Sequence, residues 1–96
     1  MNQELSNRLL VRFEWDCGRM GTVEGLFVAT QEELDKAYGK HVYFGEILGK
    51  HSDIDGTLTV EDITVVSEEQ WFIAKLVALL GSTISGYNPL SYIEEE

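Results

Sequence analysis

One cysteine, Cys17, is all the sulfhydryl chemistry this chain has. A lone thiol closes no intrachain disulfide and gives no thiolate metal spacing. Long apolar runs are missing too: none approaches the ~20 residues that a membrane-spanning helix needs. The opening MNQELSNRLL lacks the basic and apolar regions of a secretory signal. A cytoplasmic protein with no membrane association is therefore expected. No Gly-rich phosphate loop of the P-loop or dinucleotide type is present. Basic residues are scarce, and Lys75 is the only one after residue 50.

What is present points to one small folded domain spanning residues 1–96, with 1–7 and 94–96 expected to fray. Apolar residues make up 44% of the chain, enough for a core, so disorder is not expected. The net charge is −10, and it is uneven. Residues 1–50 hold eight acids against six bases, or −2; residues 51–96 hold nine acids against one base, or −8. Direct nucleic-acid binding is disfavoured, because phosphates need a basic footprint. A protein partner with a basic surface is the better match, although an acidic balance also serves solubility alone.

Arg8 to Asp16 alternates, with Leu9, Val11, Phe13 and Trp15 on one side. That period of two predicts a half-buried strand. Two glycines within Cys17–Gly21 suit a hairpin loop, and Thr22–Ala29 returns, with Gly25 marking a bulge or a close backbone approach. Thr30 to Glu33 has the pattern of a capping box, predicting a helix over 31–38 that ends at Gly39. His41 to Gly56 then joins strand-forming residues to a polar turn. Val42 to Leu48 reads as a central strand covered on both faces, and Ser52–Gly56 as a turn with Gly56 left-handed. Thr57–Val60 and Ile63–Val66 read as strand material, broken by a bulge or turn at Glu61-Asp62.

Ser67 to Gln70 resembles a second capping box, before a helix over 68–80 ended by Gly81. Apolar residues cover nearly every direction of this helix, and Lys75 is its only charge after residue 69. A surface helix shows a stripe instead. Either the helix is the central core element or its second face buries against another chain, and a homodimer through residues 68–80 is expected. Asn88 and Pro89 begin a last helical turn pinned by Leu90 and Ile93. The expected fold is α+β: an antiparallel sheet of four to five strands with two helices, in ββαββα order. The order strand, strand, capped helix occurs twice, as it does in any pair of capped hairpin units.

Chemical constellations are thin. His41, His51, Asp53 and Asp55 are the only candidate metal set, and His41 lies a whole strand from the others. The segment from His51 to Asp62 faintly echoes a calcium loop, but its first and last ligands are wrong and its flanks read as strands. Cys17 beside Arg19 has no histidine or orienting group assigned to it. Glu14, Glu24 and Glu46 are candidate paired carboxylates, but so short a chain seldom forms the long cleft such chemistry uses. No enzyme activity, metal or cofactor is expected. Binding is. The candidate partner-binding acids are Asp53, Asp55, Glu61, Asp62, Glu68 and Glu69. A competing small-ligand or nucleotide-signal site draws on Arg12, Arg19, Tyr43, Lys50 and His51, with Trp15 and Tyr87 as further stacking candidates.

The runs EWDCGRMG (14–21), EGLFVA (24–29) and VYFGEILGKHS (42–52), with GYNPL (86–90), are similar to small uncharacterised proteins encoded by bacteriophages and prophages. The resemblance spans most of the chain and brings no activity, cofactor or site residue. It implies a non-enzymatic protein that blocks a host defence or regulatory protein, or one that sequesters a signalling nucleotide, in the host cytoplasm.

Overall fold

In the computed structural model, which describes residues 8–50 and 53–94, nine consecutive residue pairs join β1 (Arg8–Asp16) to β2 (Thr22–Thr30). The connection is one 3₁₀ turn, Gly18–Met20, bounded by Gly18 at φ 66° and Gly21 at φ 115°. The Asp16 carboxylate accepts from the Gly18 amide at 2.9 Å, closing the turn.

Strict alternation along both strands sends side chains to two faces. On one face Leu9, Val11 and Phe13 meet Val23, Phe27 and Ala29, and these pack on α1 (Gln31–Ala37), β3 (His41–Gly45) and β4 (Ile54–Thr57) through Leu34, Ala37, Val42, Phe44 and Ile54. Phe44 is the hub of an aromatic group, with ring centroids 5.8 Å from Phe13, 5.6 Å from Trp15, 5.7 Å from Tyr87 and 4.8 Å from Tyr92. On the other face Leu10 and Val28 lie under Ile73 of α2 (Gln70–Leu80). The layers are therefore α2, a four-stranded sheet, and then α1 with a two-stranded sheet.

The four-stranded sheet runs β5–β1–β2–β6, with β5 (Ile63–Ser67) and β6 (Thr83–Gly86) at its edges; β3 and β4 form the second sheet. The α+β class, the antiparallel pairing and the two helices agree with the sequence. The central strand does not. Gly45 takes φ 80° and stops β3 after five residues, so Ile47 and Leu48 fold back against the core instead of extending the strand. Only one face of β3 is covered: Val42 and Phe44 are buried, while His41 and Tyr43 are exposed. Gly56 is no left-handed turn residue but an extended β4 residue opposite Val42, where the Trp15 ring would lie 3.4 Å from an added Cβ.

The first capping box forms as read: the Thr30 hydroxyl accepts from the Glu33 amide at 3.1 Å and the Glu33 carboxylate from the Thr30 amide at 2.9 Å. The second does not form at Ser67. Gln70 is held elsewhere, accepting from the Arg8 amide at 3.0 Å and donating to the Arg8 carbonyl at 2.7 Å. A box forms instead at Thr59 and Asp62, around the 3₁₀ turn Val60–Asp62. The repeated strand, strand, helix order is no structural repeat, since β4 pairs with β3 while β5 pairs with β1.

Thr83–Gly86, in a stretch rich in serine and glycine, pairs with β2 as β6. Asn88 then caps a 3₁₀ turn at Pro89–Tyr92, accepting from the Leu90 amide at 3.0 Å. Glu94 is held rather than frayed, its amide donating to the His41 carbonyl at 2.9 Å.

β6 can join only because Gly25 and Gly86 face each other in the ladder. A Cβ at Gly25 would overlap main-chain atoms of Tyr87, and one at Gly86 those of Glu24 and Gly25. Gly25→Ala is therefore expected to cost about 3 kcal/mol or more, as severe overpacking does. Urea denaturation checks this, and an unchanged midpoint would contradict the close approach.

Candidate functional site

Among the described residues, strand β5 is one edge of the four-stranded sheet and pairs with β1 alone. Its register with β1 places Ile63 opposite Phe13, Thr64 opposite Arg12 and Val65 opposite Val11, then slips so that Ser67 faces Leu10. Val66 is thus the extra residue of a bulge. Thr64, Val65 and Val66 are all exposed, and Ile63–Ser67 contains no charge. Acids stand at both ends: Glu61 and Asp62 immediately before, Glu68 and Glu69 immediately after. Asp62 is partly committed, accepting from the Thr59 amide at 2.9 Å and its hydroxyl at 3.1 Å. Glu61, Glu68 and Glu69 are exposed and make no ion pair among the described residues.

Helix α2 follows two residues later. It buries only Ile73 fully, with Leu76 and Val77 half-buried against the sheet. At about 100° per residue, Trp71, Lys75, Ala78 and Leu79 point away from that contact. Trp71 stays 65% exposed, Leu79 77% and Leu80 57%, with Phe72 at 38%. Trp71 and Phe72 meet edge to face, 6.5 Å between centroids. Trp71, Phe72 and Leu79 form an apolar surface on the helix, and no acid lies on the helix itself.

The six expected partner-binding acids therefore divide. Glu61, Asp62, Glu68 and Glu69 bracket β5. Asp53 and Asp55 lie with the two-stranded sheet, on the opposite side of the four-stranded sheet from α2. Asp55 is within 2.9 Å of His41 Nε2, which also stands 3.7 Å from Glu94.

The four small-ligand candidates among the described residues are not gathered into one pocket. Arg12 lies on the α2 side of the sheet, 3.4 Å from Glu24 and 4.0 Å from Glu14, in a shallow groove of about 410 Å³ lined by Gly25, Leu26, Ser85 and Gly86. Arg19 is in the exposed turn after β1. Tyr43 points outward from β3 on the far side of the core. Lys50 is exposed in the segment between β3 and β4, and His51 lies outside the described residues. Trp15 and Tyr87 pack into the Phe44 aromatic group. Among the described residues no three His, Cys, Asp or Glu side chains gather as metal ligands. Cys17 is half-buried, with its Sγ 4.0 Å from the Trp15 carbonyl. No helix among the described residues is long and apolar enough to cross a membrane.

Comparison with protein-family models, with curated proteins and with solved structures finds no match to this chain. The β5 edge was the part of the surface that sequence reading missed. The signal was there, in an uncharged β-branched run with acids on both ends, but edge position depends on pairing partners far along the chain.

Tyr43 gives a local test of the outer two-stranded sheet. Its phenol is pushed above its ordinary 10.0, first by the neighbouring Asp53 carboxylate, then by burial and a hydrogen bond to that carboxylate. The folded state thus favours the neutral phenol, so its contribution to stability holds below about pH 10 and is lost as pH rises through the raised value. Asp53→Asn is expected to bring the titration back toward 10.0, read as the phenolate absorbance difference against Tyr43→Phe. A titration unmoved by that change would separate the two side chains.

Proposed function

We propose that the protein is a non-enzymatic binding protein, dimeric through α2, that occupies a basic surface of another protein. The observation that carries this is the sorting of its surface: apolar and acid-free on α2, acidic at both ends of strand β5. An apolar centre with a charged border is how protein interfaces are commonly built, and exposed apolar patches of this kind mark association sites. The phage resemblance suggests that the partner is a host defence or regulatory protein, blocked by being covered.

Charge favours a second copy as the occupant of α2. On a chain of net −10, most self-contacts set acid against acid. Gln70–Leu80 carries no acid and one base, Lys75, which is exposed. Two such helices crossing near Phe72 set no acid against acid along Gln70–Leu80. Trp71 and Phe72 then lie at the centre, where interface aromatics contribute most. The acids beyond the crossing remain for a basic partner. A small-ligand reading has less support, since its candidate residues are divided between opposite sides of the fold.

Two expected outcomes follow from the two surfaces. Trp71→Ser with Leu79→Ser is expected to convert a dimer to a monomer with the fold intact, seen by sedimentation equilibrium together with circular dichroism. A wild-type monomer at about 100 µM, a concentration well above the Kd of most stable complexes, removes the α2 dimer from the proposal. Binding to a host protein through the acids is expected to weaken at least tenfold between about 0.05 and 0.3 M salt, because exposed charges are screened over that range. It is expected to weaken similarly in Glu61→Lys with Glu68→Lys and Glu69→Lys. Retention of the same proteins by that variant and at high salt would sink the acidic-surface reading.

A further inference from the structure

From the β5 edge we infer how the partner is engaged: β5 accepts an extended segment of a protein partner as a fifth strand, uncharged in the middle and basic at both ends. This rests on the reading of the protein as a binder of basic surfaces, and it names the structural element and the class of segment.

The edge has what strand addition requires. Alternate residues of an edge strand turn their N–H and C=O groups away from the sheet, ready for another chain. Main-chain bonding gives such complexes much of their affinity, and the flanking side chains give their specificity. Thr64, Val65 and Val66 are exposed, β-branched and uncharged, and among the described residues no strand but β1 pairs with them. The Val66 bulge bends the far end of the edge, so a guest pairs best over the regular stretch from Ile63 to Val65.

The acids choose the guest. A second copy adding antiparallel about Val65 would set Glu61 against Glu69 and Asp62 against Glu68, twice over. A parallel second copy would set each acid beside itself. Like charges directly opposite across a ladder are destabilising, and inward or flanking charges are the common guard against edge-to-edge pairing. A guest with lysine or arginine at both ends turns the same four positions into attractions. Asp62 and Glu68 are six residues apart, so the two basic groups should be separated by about 20 Å at ~3.3 Å per residue. The same strand therefore refuses its own kind and selects a basic-ended partner. Self-association is left to α2.

The test uses the full chain and a labelled peptide made of two lysines, five alternating valines and threonines, and two further lysines. Fluorescence anisotropy at about 50 mM salt reads affinity, and amide hydrogen exchange reads location. The expected result is binding at least tenfold tighter than that of the same peptide with glutamates for lysines, with slowed exchange at residues 63–67. The variant Glu61→Lys with Glu68→Lys and Glu69→Lys is expected to reverse the preference and take the glutamate-ended peptide, which also shows that it is folded. Equal binding of the two peptides overturns the proposal, as does no binding of either. Lysine-peptide binding with exchange at 63–67 unchanged overturns edge addition alone and leaves the acidic-surface reading standing. Slowed exchange at 63–67 that grows with protein concentration, without peptide, overturns the exclusion of a second copy.

Discussion

The β1–β2 pairing governs what every later element must cover. Nine pairs in unbroken register send alternate side chains to two faces, and both faces carry apolar residues. One is the larger commitment, with Val11, Phe13 and Phe27 fully enclosed. Most of the chain between Gln31 and Thr57, together with the Pro89–Tyr92 turn, covers that side. The other face has Leu10 and Val28 to shield and only α2 to do it. A helix of eleven residues laid over two or three apolar groups cannot bury its whole circumference. The exposure of Trp71 and Leu79 follows from this unequal division of cover.

Much of this was legible in the residues. Alternation in Arg8–Asp16 named the set facing the larger core but missed Leu10, buried on the other face under α2, while the Thr30-to-Glu33 box and Gly81 marked helix ends where they occur, because these signals are local. The full-cylinder pattern of the second helix pointed to an exposed apolar face. What escaped reading depended on partners distant in sequence. Val42–Leu48 looks like a central strand by composition, yet Gly45 adopts a left-handed conformation that ends it. Thr83–Gly86 lies in a serine- and glycine-rich stretch and becomes a strand because β2 offers it a free edge. Ser67 to Gln70 has the letters of a capping box, but the Gln70 amide is engaged by the Arg8 main chain, 62 residues away. The candidate acids could be named one by one. Their division into two groups could not be seen until the strands were ordered.

Charge and apolar surface are partitioned rather than mixed. Isolated surface ion pairs such as Arg12 with Glu24 contribute little to stability, because both side chains remain more than half exposed. The unpaired acids around β5 matter more for what they permit nearby than for the fold. They border a strand edge, β5, whose side chains are uncharged and mostly β-branched. They are absent from the helix with the most exposed aromatic surface. One chain thus presents two dissimilar surfaces, one apolar and free of acids, the other uncharged with acids at both ends.

The Gly25–Gly86 contact carries a consequence for how the chain can vary. Most crowded positions can drift in concert, a larger residue here accommodated by a smaller one there. At Gly25 the space is taken by the main chain of Tyr87, and at Gly86 by that of Glu24 and Gly25 itself. Main-chain atoms are the same whatever residue carries them. No exchange of neighbours can make room, so these two sites are closed to coevolution, and the last strand can be kept only by keeping both glycines.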